Sequence, residues 1–86
     1  MIQEQKAVWD RLPELTRESI IAMVHFSCPT KVRKYRKFAA NTIIGIGSTT
    51  PTIAESIVNW IAYNITQLIS QCQYEELRLR WHITYC

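Results

Sequence analysis

Apolar residues recur at helical spacing along most of the chain, and the period changes only near its end. Leu12, Leu15, Ser19, Ala22, Met23 and Phe26 follow the i, i+3, i+4 pattern of one buried helix face. Pro13 interrupts any continuous helix from the N-terminus. The pattern therefore predicts a first helix over about 12–27, with Asp10 as its cap and Glu14 and Glu18 near its positive end. Ser27-Cys28-Pro29-Thr30 closes it and opens a second, over about 31–44, with Val32, Tyr35, Ala39 and Ile43 on one side. Gly45, Gly47 and Ser48-Thr49-Thr50-Pro51 predict the main loop. The β-branched residues of 42–46 leave a short strand as the alternative there.

A third helix is expected over about 52–74. It opens on a capping box from Thr52 to Glu55 and carries Ile53, Ile57, Trp60, Ile61, Ile65, Leu68, Ile69 and Cys72 on one wide apolar face. Then Leu77, Leu79, Trp81, Ile83 and Tyr85 alternate with Arg78, Arg80, His82 and Thr84, a period of two. The expected fold is mainly α: three principal helices with a possible short C-terminal strand, 77–85, in a single small helical domain, 1–86.

Composition narrows this further. Eighty-six residues suit one domain, and 48% hydrophobic with 20% charged residues lies in the globular range rather than the disordered one. Three tryptophans and four tyrosines are more than so small a core buries easily. A two-fold homodimer is expected, because a shared interface extends a core that is too small alone. The three cysteines, Cys28, Cys72 and Cys86, contain no C-x-x-C pair, and the polar opening has no apolar signal region. An intracellular, non-secreted protein is the expectation, in cytoplasm or nucleus. The most apolar window, 53–72, holds Glu55, Asn59, Asn64, Gln67 and Gln71, too many polar groups for a lipid-facing span.

Charge distribution supplies the main functional clue. The net charge is only +3, yet Lys31, Arg33, Lys34, Arg36 and Lys37 place five of the ten basic residues within seven positions. No acid occurs between Glu18 and Glu55. A positive stripe with remote acids is the footprint of a polyanion site. Nucleic acid is the favoured partner, and an acidic protein surface the next. On a helix such cations meet several phosphates at once, and Tyr35 between them offers a ring to stack on a base or sugar. The stretch 39–57 also has the order of a helix-turn-helix, with Thr52, Glu55, Ser56 and Asn59 as its outward polar face. Ile43 and Ser48 depart from the residues that motif requires.

Catalytic chemistry is nearly absent: one aspartate, no glycine-rich phosphate loop, and no nucleophile–His–acid pattern. His25 with Cys28 and His82 with Cys86 have spacings that zinc accepts, but lack a C-x-x-C anchor. No catalytic residue, cofactor or metal is expected. The profile is that of a small accessory or regulatory protein, of the kind viruses encode. It is expected to bind nucleic acid, double-stranded RNA above all, through Lys31, Arg33, Lys34, Tyr35, Arg36 and Lys37. The reading of a different class is a protein-interaction module that inserts apolar residues, Trp81 among them, into a partner's groove.

Overall fold

The computed structural model describes residues 2–26 and 29–64, and these are mainly α. Helix α1 spans Gln3–Arg11, a run of good helix formers in which Lys6 and Asp10 pair at 2.9 Å across one turn. Only Val8 is buried on it, with Trp9 packed against the core edge. Pro13 then acts through its neighbour. The residue before a proline is pushed out of helical conformation, and Leu12 is extended at φ −71°, ψ 139°, driving its side chain into the core.

Helix α2 spans Glu14–Ile21 and runs on into a π-helical turn, Ala22–Phe26. In that turn hydrogen bonds reach five residues rather than four, so residues five apart come to share a face. Ile20, Ile21, Ala22, Val24 and Phe26 are buried, Phe26 five residues after Ile21. Of the expected face, Leu12, Ala22 and Phe26 are buried and Met23 is packed against the core, whereas Leu15 is 78% exposed and Ser19 is also outside. The expected helix of 12–27 in fact starts at Glu14, after an extended Leu12-Pro13 linker, as α2 with its π turn, and a separate helix, α1, precedes it. Asp10 is not a cap but a member of α1.

A short 3-10 turn, Pro29–Lys31, leads into α3, Val32–Gly47. Tyr35, Ala39, Ile43 and Gly47 stand four apart and form its buried stripe. The helix runs three residues beyond the expected end, so 42–46 is helix and not strand, and both glycines lie inside it. Gly47 is there because α1 crosses closely: a Cβ built on it would sit 2.9 Å from Val8 Cγ1. The stop is Ser48, left-handed at φ 51°, ψ 55°, with its N–H donating to the Ile44 carbonyl. Arg11 of α1 donates through Nη2 to the Gly47 carbonyl, placing a cation at the negative end of α3.

Thr50 begins α4, Pro51–Tyr63, by accepting the Ile53 N–H on Oγ1 at 3.3 Å, with Pro51 in the first helical position. The cap is thus two residues earlier than the Thr52–Glu55 box implied. Ala54, Ile57, Val58 and Ile61 are buried against α3 and α1. Asn64 ends the helix, its side-chain Nδ2 donating to the Trp60 carbonyl at 2.8 Å. The expected continuation over 65–74 and the strand over 77–85 lie outside the described residues. Among the described residues no helix is long and apolar enough to cross a membrane.

Candidate nucleic-acid interface

Lys31, Arg33, Lys34 and Lys37 project from the start of α3 and are exposed, whereas Arg36 is half-buried. The helix forms here because its buried stripe binds it to the core and because Arg and Lys are themselves good helix formers. Its electrostatics work against it. The position that usually holds Ser, Thr, Asp or Asn is Lys31, which caps nothing, and the first turn carries no acid. Cations at the positive end of a helix each cost about 0.3–1 kcal/mol at low ionic strength. Among the described residues no carboxylate pairs with these cations: the one ion pair is Lys6 with Asp10, on α1.

Tyr35 occupies a different place from the one expected. It is 9% exposed and belongs to the core stripe, with its ring edge-on to Phe38 at 5.9 Å. A ring so placed has no free face for a base; it anchors the basic helix instead. On α3 the aromatic that reaches the surface is Phe38, 44% exposed, with Lys34 Nζ 5.8 Å from its centroid. The sequence held a signal for it, since Phe38 stands three residues after a core position and four after an exposed lysine. Ile46, 53% exposed, lies on the same flank of α3.

On the opposite flank α3 and α4 border a groove of about 500 Å³. Arg36, Lys37, Ala40, Asn41 and Ile44 form one wall, and Pro51, Glu55, Val58 and Asn59 the other. Arg36 crosses it, donating from Nη2 to Asn59 Oδ1 at 2.6 Å. The polar face of α4 that could have served as a free helix-turn-helix reader is thus partly committed to α3. Sequence spacing shows neither the groove nor this bond, because its partners are 23 residues apart.

The structure thus arrays four exposed cations and one tethered arginine around the solvent-facing surface at the start of α3, Lys34 beside Phe38 on one flank and Arg36 and Lys37 on the other, beside a cleft that contains a carboxylate. Compared with protein-family models, with curated proteins and with solved structures, the chain gave no match.

Proposed function

We propose that the protein binds nucleic acid without catalysing a reaction, laying the basic face of α3 along the phosphate backbone of a duplex, RNA by preference. The observation that carries the reading is the set of exposed cations at the uncapped positive end of α3, with no described carboxylate paired to them. An anion there relieves the repulsion among the cations and the clash with the helix dipole together. Lys31, Arg33, Lys34 and Lys37 offer flexible contacts, and Arg36 keeps four of its five N–H donors after bonding Asn59. The face holds cations and few groups for base edges, which suits recognition of backbone and shape more than of sequence.

Replacing Arg33, Lys34, Arg36 and Lys37 together with alanine tests this. Four phosphate contacts give a log–log salt slope of about −3.6, a roughly hundredfold loss of affinity between about 50 and 200 mM salt. The variant should melt by circular dichroism no lower than the parent and lose both the affinity and the slope in fluorescence anisotropy with duplex RNA. Equal binding by folded variant and parent rejects the reading.

A homodimer belongs to the same proposal, since two copies of the basic face double the contacts. Sedimentation equilibrium should give twice 10.1 kDa. A monomer at all concentrations removes that part alone.

The second reading, a module that docks an apolar face on a partner protein, draws on exposed Phe38 and Ile46. Salt separates the two: phosphate binding weakens steeply with ionic strength, and an apolar contact does not.

A further inference from the structure

We propose that the α3–α4 groove seats a single unstacked nucleotide, and that Glu55 selects bases with an exocyclic amino group, cytosine first. This rests on the nucleic-acid reading above and goes beyond it, from the duplex backbone to one base. Three observations meet in the groove. Its volume of about 500 Å³ lies within the range of small-ligand sites. Ile44 and Pro51, one from each helix, give it apolar surface for the flat face of a base.

The second observation is the Arg36–Asn59 bond at 2.6 Å. It holds the guanidinium across the cleft before any ligand arrives, so little side-chain freedom is lost on binding. A fixed guanidinium plane stacks on a base or grips the phosphate attached to it. Lys37 on the same wall supplies a second cation for that phosphate.

The third is Glu55, which lines the groove from α4 and is exposed. A channel built only for phosphate has no use for a carboxylate, which repels it. A carboxylate accepts hydrogen bonds and donates none, so it favours a base edge that presents N–H groups. In the major groove of paired DNA cytosine N4 is the usual partner of such a residue, and at that position uracil carries a carbonyl, which a carboxylate repels. The groove therefore has charge of one sign for the phosphate and an acceptor of the other sign for the base.

The seated nucleotide has two sources, one bulged out of an RNA duplex and one free in solution, and the test separates them. Anisotropy is measured with a fully paired RNA duplex, the same duplex with one bulged cytosine, and the same with one bulged uracil. Cytidine monophosphate is added as competitor in a further arm. The cytosine bulge should bind about tenfold more tightly than the paired duplex and the uracil bulge. Glu55→Ala, on an exposed helical site where alanine is well tolerated, should erase the cytosine preference without weakening paired-duplex binding. Competition by the mononucleotide down to the paired-duplex level shows that the nucleotide alone fills the seat. Its failure shows that the seat needs the strand.

Equal affinity for all three duplexes overturns the groove proposal and leaves the basic-face reading intact. Binding to none of them overturns both. A cytosine preference that survives Glu55→Ala overturns the role given to Glu55.

Discussion

The two halves of α3 obey opposite rules. Residues 40–47 carry no charge, and their core positions, Ile43 and Gly47, are buried. Their end is finished with a left-handed Ser48 and a cation lent by Arg11 of another helix. Residues 32–39 carry four cations, begin without a capping side chain, and place positive charge at the helix end that disfavours it. One half has its electrostatics satisfied by the fold, and the other is left in conflict with it. A local conflict that the rest of the structure tolerates marks a place where sequence serves something besides stability.

The widest gap between the halves should appear with buried charge. Ile43, fully buried in the second half, cannot accept an aspartate without several kcal/mol of unpaired desolvation. Against a total of about 5 kcal/mol, Ile43→Asp should leave the chain unfolded by circular dichroism at 25 °C. Lys37→Asp, in the exposed first half, should move stability by no more than about 0.5 kcal/mol. Comparable losses from both would erase the distinction.

The two glycines sharpen it at smaller scale. Gly45 has nothing within 4 Å of a built Cβ, so Gly45→Ala should stabilise by about 1 kcal/mol through helix propensity alone. Two residues on, Gly47→Ala meets Val8 Cγ1 at 2.9 Å, on a β-branched side chain that has few rotamers to escape into. The overpacking cost of about 1–3 kcal/mol exceeds the propensity gain, so the change should destabilise. Opposite signs in urea melts are expected; the same sign for both would mean that α1 does not press on α3 there.

Legibility followed the strength of local pattern. The stripe Tyr35, Ala39, Ile43 could be read because four-residue spacing repeats without interruption, and so could Ile57 and Ile61 on α4. Helix α1 could not, since Val8 is its lone buried residue and one position makes no period. On α2 the expected face is half right: Leu15 and Ser19 look outward, and the helix buries the adjacent pair Ile20 and Ile21 instead. The end of α3 was put too early because Gly45 and Gly47 look like a turn, while the left-handed residue is Ser48. For the site, the basic cluster is contiguous in sequence and needed no fold to be seen. Tyr35 carried two expectations, core and base stacking, and burial decided between them. The groove depends on Arg36 meeting Asn59 from another helix, which only tertiary structure provides.

The smallest effect is the most direct test of what the first half is for. Arg33 lies in the first turn of α3 and is exposed, so replacing it disturbs no packing. Arg33→Glu removes a cation from the positive helix end and supplies the anion that end favours, a swing of about 1 kcal/mol at low ionic strength. The melting temperature should rise by a few degrees, as about 1 kcal/mol gives roughly 4–8 °C in a domain of this size. Near 1 M salt, with a screening length of about 3 Å, the gain should vanish, which identifies it as electrostatic. The same variant should bind duplex RNA more weakly and flatten the salt slope by at least about 0.9, since one phosphate contact becomes a repulsion. A residue that weakens the fold and strengthens binding is kept for the binding. If Arg33→Glu melts lower than the parent, the first half of α3 is not in conflict with its own helix. If it melts higher and binds equally well, the conflict is real and phosphate is not its cause.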